Sequence, residues 1–190
     1  MSQPDNYEMV SIYQMDPEDQ EALLLTQREC VFNWCTRDEW PMGVIMSYIW
    51  RNDRVWLTAG AHRHRISAIK RNPKTSVIVT STGTKIGAGK TVTIKGTCVI
   101  HEDKETKDWF YPDFARALYP DESAAKDFEK LLDSPIRVII EVIPSKFITY
   151  DGHKMFAHTA GKLDESRLVN QRNLMSFVFN ENWKEGSLHN

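Results

Sequence analysis

Short β-prone runs joined by tight turns come first in this chain, with helix-patterned stretches inserted later, and that order constrains the fold more than any other feature. Cys30 to Cys35, Met42 to Trp50, Val55 to Ala59, Thr75 to Thr80, Thr91 to Ile100, Ile136 to Ile143 and Phe147 to Tyr150 read as strands. Helices are expected from Asp16 through the leucines to Arg28, over His62 to Arg71, Glu105 to Leu118, Asp121 to Leu132 and Asp164 to Phe177. Alternating βαβ units would need a helix between each pair of strands. The expectation is instead a mainly β chain, an antiparallel barrel with appended helices.

The punctuation supports these boundaries. Asp16-Pro17 suits a helix start, and Arg51-Asn52-Asp53-Arg54 is a tight connection between Met42–Trp50 and Val55–Ala59, making a hairpin. Gly60 breaks the strand before the His62–Arg71 helix, and Asn72-Pro73 stops that helix. Gly96 predicts a bulge or bend inside its strand, and Pro144 a bend between Ile143 and Phe147.

Net charge is −2, so nothing global favours nucleic acid or an anionic membrane, and any anion site must be a local concentration of charge. Apolar residues at 41% and charged residues at 26% fit an ordered globular chain. Cys30, Cys35 and Cys98 are irregularly spaced, which argues for reduced thiols and against a disulfide framework or a zinc ribbon. Met1 to Asp19 lacks a signal pattern and no apolar run approaches ~20 residues, so a cytoplasmic location is expected.

The local concentration of charge is His62-Arg63-His64-Arg65, followed by Lys70, Arg71 and Lys74. It follows a strand and a glycine at the start of a helix, where unpaired N–H groups favour an anion. Arginine there holds two phosphate oxygens at once. A solvated helix face is the alternative for charge alone; the strand-glycine context favours a phosphate site. Gly83 to Thr91 superficially resembles a nucleotide-triphosphate loop. Thr84 stands where that motif needs glycine and a strand follows it, so it reads as a basic hairpin loop. No histidine pair has zinc-ligand spacing, and no metal site is expected. Trp34, Trp40, Tyr48, Trp50 and Trp56 crowd the first hairpin region as core or interface contacts, on a surface that a flat ring would also use.

The ordered set Trp40-Pro41-Met42-Gly43-Val44, Val55 to Gly60, Arg63-His64-Arg65 through Ile69 to Pro73, Thr91 to Thr97, Arg137 to Pro144 and Phe147 to Tyr150 resembles the pyridoxamine 5′-phosphate oxidase-like superfamily of split-barrel flavoproteins. The resemblance covers roughly Glu21 to Met155. It implies an antiparallel split β-barrel of the FMN-binding type over residues 1–155, with 156–190 as a helical extension on the same domain or the dimer partner. It also implies a homodimer with cofactor sites at the interface. Carried over by position, Thr58 and Ala59 would meet the isoalloxazine edge, and Arg63, His64 and Arg65 the phosphate. Val44, Met46 and Ser47 would lie against the ring, Lys90 and Thr91 would come from the partner chain, and Tyr150 is the aromatic near the last strand. Related proteins often carry Ser-Arg-Lys where Arg63-His64-Arg65 stands. After Tyr150 the chain reads Asp151-Gly152-His153-Lys154-Met155, without the arginine- and histidine-rich motif of true pyridoxamine phosphate oxidases.

The expectation is therefore an FMN-dependent oxidoreductase acting on a small molecule, with no catalytic side chain identified and no nucleic-acid or membrane partner. The deazaflavin F420 is an alternative cofactor, for whose acidic tail Lys70, Lys85 and Lys90 are available. A third reading is a non-catalytic flavin or haem carrier, with His62, His64, His153 or His158 as haem ligands.

Overall fold

In the computed structural model, which describes residues 10–164 together with 166 and 168, seven strands form one antiparallel sheet. The elements in chain order are α1 (Pro17–Thr26), β1 (Glu29–Cys35), β2 (Pro41–Ser47), β3 (Ile49–Arg51), β4 (Arg54–Gly60), α2 (His64–Arg71), β5 (Lys74–Thr80), β6 (Lys90–His101), α3 (Lys104–Leu118), α4 (Glu122–Leu132), β7 (Arg137–Asp151) and α5 (Gly152–Thr159). The strand order is β2-β1-β5-β6-β7-β4-β3.

That order explains the curl of the sheet. β2 and β3 are its two edge strands, yet only Tyr48 separates them in sequence. A single residue cannot span a flat seven-stranded sheet, where neighbouring strands lie ~4.8 Å apart. The edges must come together, which makes a split barrel. Tyr48 is fully buried at this seam, and its hydroxyl donates to the Leu24 carbonyl of α1 at 2.9 Å.

The main core fills the barrel with Phe32, Leu57, Val77, Val79, Val92, Ile94, Ile140 and their neighbours, under Leu23 and Leu24 of α1 and Ile66 and Ile69 of α2. A second cluster, Ile49, Trp56, Phe110, Tyr111, Phe114, Leu132 and Ile139, packs α3 and α4 on the other face of β4 and β7.

Two strand boundaries differ from expectation. Met42–Trp50 is two strands: β2 pairs with β1, and only β3 pairs with β4 through the Asn52-Asp53 turn. Both turn residues have positive φ, a conformation Asn and Asp tolerate best. Conversely, Pro144 does not divide the last strand, and β7 is continuous from Arg137 to Asp151. The irregularity is a bulge in β7 itself: Lys95 pairs with Lys146 and Gly96 with Pro144, which leaves Ser145 as the extra residue. The missing N–H of Pro144 falls beside that bulge. The helix α5 was not anticipated, and the expected helix at Asp164–Phe177 lies almost wholly outside the described residues. Among the described residues, no helix is long and apolar enough to cross a membrane.

Candidate functional site

β4 ends at Gly60, paired with Arg137 of β7. The chain then turns through Ala61, His62 and Arg63 into α2. The turn is fixed by Ala61 N–H donating to the Ile136 carbonyl at 2.7 Å and Arg63 N–H donating to the Gly60 carbonyl at 3.0 Å. Arg63 is the N-cap residue, and no side chain caps the helix. Ile66 N–H donates to the Arg63 carbonyl at 2.9 Å, so it is the His64 and Arg65 N–H groups of the first turn that are left for solvent or a ligand.

Arg63 and His64 are exposed, whereas Arg65 is half-buried. Its guanidinium lies over the Trp34 ring, 5.7 Å from the centroid, and its Nε is buried without a hydrogen-bond partner. Burial, and then the neighbouring Arg63 charge, hold Arg65 below the ordinary arginine range. Arg51, Arg54 and Arg116 have carboxylate partners, and Arg65 has none among the described residues. A half-buried cation without a counter-ion is costly, and a bound anion removes that cost.

The backbone beside this cluster is also open. β3 pairs with β4 only as far as Ile49 opposite Trp56, so Leu57 to Gly60 have no strand on the edge facing away from β7. Thr58 and Ala59 lie on that stretch. The Ala59 side chain is buried, and the Thr58 hydroxyl donates to the Val138 carbonyl at 2.8 Å. Trp34 is paired with Met42, which brings the start of β2 toward Arg65. Val44 and Met46 follow on that face, opposite Phe32 and Cys30, while Ser47 faces the other way, opposite Glu29.

Other expected residues lie elsewhere. Lys70 forms an exposed ion pair with Glu102 at 3.3 Å. Thr91 is paired with Tyr150 near the far end of β7. Arg137 and Tyr150 stand 13 residues apart, near opposite ends of one strand. Lys90 is buried between Asp19 and Asp151, the latter at 3.2 Å. Burial works against its charge, but the two carboxylates outweigh it and hold the ammonium above the usual lysine range. Tyr150 donates its hydroxyl to the Met155 sulfur at 3.1 Å. Lys85 is exposed on the glycine-rich loop.

The histidines are dispersed. His153 Nε2 contacts the Ala88 carbonyl at 3.0 Å, and His158 Nδ1 contacts the Tyr13 hydroxyl at 2.8 Å. Among the described residues, no group of three or more His, Cys, Asp or Glu is placed to hold a metal ion.

Sequence reasoning did not find the Trp34 platform under Arg65 or the Asp19–Lys90–Asp151 cluster. Strand alternation puts Trp34 on the face of Phe32, but only the packing of α2 on β1 brings Arg65 above it.

A sequence profile described as Pyridoxamine 5′-phosphate oxidase matches residues 17–151. No curated protein sequence matches the chain. Solved structures with the same fold include a conserved hypothetical protein from Mycobacterium tuberculosis, 15% identical with a TM-score of 0.66, covering 77% of this chain and 91% of that one. An F420 reductase is 20% identical with a TM-score of 0.52, covering 67% and 94%. A FAD-binding protein from Mesorhizobium loti is 16% identical with a TM-score of 0.53, covering 72% and 94%. At these identities the likeness is one of fold.

Proposed function

The chain belongs to the pyridoxamine 5′-phosphate oxidase family, and from this premise we propose that it is a flavin-dependent oxidoreductase that uses FMN and works as a homodimer. The observation that carries the reading is Arg65, half-buried on Trp34 without a counter-ion, at the uncapped start of a helix that follows an open strand edge. A terminal phosphate fits the Arg63–Arg65 donors, and a flat ring with polar edges fits the free edge of Leu57 to Gly60. When bound, a flavin supplies hydride and electron transfer. The protein's own residues bind the phosphate, orient the ring and shield one side of it. No side chain here is assigned as acid or base, and the substrate class stays open.

The homodimer has its own support. Ile45, Val31, Ile78, Thr93 and Ile148 are paired in register across β2, β1, β5, β6 and β7. Cross-strand partners share a face, so these five form one mostly apolar row on the outside of the barrel. Ile45 is 71% exposed and Ile148 51%. A row of exposed isoleucines across neighbouring strands supports an interaction surface there. Thr91 and Tyr150 stand at the other end of β7 from the Gly60–Arg137 pair beside Arg65, and a second copy seated on this face would supply them to the same ring.

A second reading takes F420 in the same groove, because one structure of this fold is an F420 reductase. Of the lysines available for its acidic tail, Lys70 and Lys90 are held in ion pairs and Lys85 is exposed. FMN is favoured on that ground. The test is to denature the purified protein and weigh what it releases. FMN is expected, a deazaflavin mass would support the second reading, and failure to bind either when supplied would remove both.

A further inference from the structure

Two lysines beside the far end of β7 are turned inward. Lys90 is 9% exposed and Lys154 5%. Lys90 is paired in register with Asp151, and its ammonium lies 3.2 Å from that carboxylate and also meets Asp19 of α1. Lys154 Nζ lies 2.7 Å from Asp16 Oδ1 and donates to the Gln14 carbonyl at 2.8 Å. A buried ion pair often adds no stability over well-packed apolar side chains, and its best-attested use is to fix register.

Asp151 is the hub of this cluster. Besides Lys90, its carboxylate accepts from the N–H groups of His153 at 2.9 Å and Lys154 at 3.4 Å, which caps α5. Its own N–H donates to the Tyr13 carbonyl at 2.7 Å. One residue thus joins β6, β7, α5 and the segment before α1. What these contacts hold in place is Tyr150. It is paired with Thr91 and lies two residues beyond Ile148, so it shares the outer face with the apolar row. Its ring rests on the start of α5. A Cβ on Gly152 would stand 3.4 Å from Tyr150 Cε1 and 2.9 Å from the Gly89 carbonyl oxygen, and the Tyr150 hydroxyl reaches Met155 one turn on. The direction of α5 therefore sets where the ring points, and the Asp151 cap sets the direction of α5.

We propose that Asp151 is a positioning residue for the flavin site: held by Lys90 and capping α5, it fixes Tyr150 on the outer face, where a second copy would bring its flavin. The inference rests on the flavin and homodimer reading. Lys90 and Asp151 do not touch the cofactor in this arrangement, because their charges are matched to each other behind the strand.

The test is a double-mutant cycle on FMN affinity in the full chain, read by flavin fluorescence, with urea unfolding of each variant alongside. Asp151→Asn keeps an oxygen to cap α5 and removes the charge that holds Lys90. It is expected to bind FMN about fivefold more weakly, and Tyr150→Leu about tenfold. If Asp151 acts through Tyr150, the double variant binds no more weakly than Tyr150→Leu, whereas effects of independent origin would add. Met155→Leu fills the same space without the sulfur acceptor and leaves the ion pairs intact. It should weaken FMN severalfold alone and have no effect beside Tyr150→Leu, and this cycle decides the matter if Asp151→Asn does not fold. Losses that add in full, or Asp151→Asn and Met155→Leu variants that bind FMN as the parent does, overturn the positioning role and leave the flavin reading standing. A parent that takes up no FMN, or a Tyr150→Leu variant with the parent's affinity, removes Tyr150 from the flavin site and the proposal with it.

Discussion

Arg65 shows how one side chain can be poorly placed for stability and well placed for binding. Its Nε is buried without an acceptor, its guanidinium lies over Trp34, and the like charge of Arg63 acts on it. Removing such a cation does not leave an opposite charge stranded, so Arg65→Ala is expected to keep or slightly raise the thermal midpoint. FMN binding should respond in the opposite direction. A hydrogen bond to a charged group contributes about 1.5–3 kcal/mol, which predicts a loss of roughly ten- to a hundredfold in FMN affinity. Riboflavin, which has the ring but no phosphate, should bind parent and variant alike. Fluorescence titration with both ligands checks this, and an equal loss for the two would place Arg65 against the ring instead.

Elements are governed by how strands meet, and Gly96 is the clearest case. A Cβ there would stand 2.7 Å from the Ile143 carbonyl oxygen and 2.8 Å from Val142 Cγ1. The first obstacle is β7 backbone beside the Ser145 bulge, which cannot swing away as the His62 ring beside Gly60 can. Gly96→Ala is therefore expected to cost about 2–4 kcal/mol, and Gly60→Ala less, in paired urea unfolding curves. Gly96 was legible in the sequence as a break in an alternating strand, and so was the His62–Arg71 helix with its basic start. The two wrong strand boundaries have a common cause. Local pattern reports β-propensity but not the partner, so it could not show that Tyr48 divides two strands at opposite edges of the sheet. Nor could it show that the strand continues through Pro144 with a bulge at Ser145. The candidate site divides the same way. Arg63–Arg65 was readable because its parts are contiguous, whereas Trp34 comes under Arg65 only once α2 packs on β1.

For the whole molecule, burial of ionisable groups sets a pH limit. Burial, with the Glu29 charge adding to it, pushes the Cys30 thiol up to about 12. Burial also raises Cys98 to about 12, against a hydrogen bond from Thr75. Burial and then the Cys30 charge raise Tyr48 as well. A raised thiol keeps its proton in the folded state after the unfolded chain has released it. The stability is complete below the unfolded pKa near 9 and is lost as pH rises toward 12. The two thiols together predict a loss of about 3 kcal/mol between pH 8 and 10. Urea unfolding at the two pH values checks this, and the Cys30→Ala/Cys98→Ala variant should lose most of the difference.

The same scale decides whether one chain suffices for a site. Thr58, Ala59 and Arg63–Arg65 gather at one end of β7, while Thr91 and Tyr150 stand at the other. The apolar row from Ile45 to Ile148 is the face on which a second copy would close that gap. Ile45 and Ile148 are mainly exposed, so Ile45→Asp with Ile148→Asp should leave the barrel folded, as near-native circular dichroism would show. Carboxylates on the row would have to be desolvated for two copies to meet, a cost of several kcal/mol per charge without a partner. Sedimentation velocity is expected to show a dimer for the parent and a monomer for the variant. Because each ring would lose the groups from the second chain, the monomer should also release FMN on gel filtration. A variant that stays dimeric would move the interface to another face, and a monomer that keeps its FMN would show that one chain holds the cofactor alone.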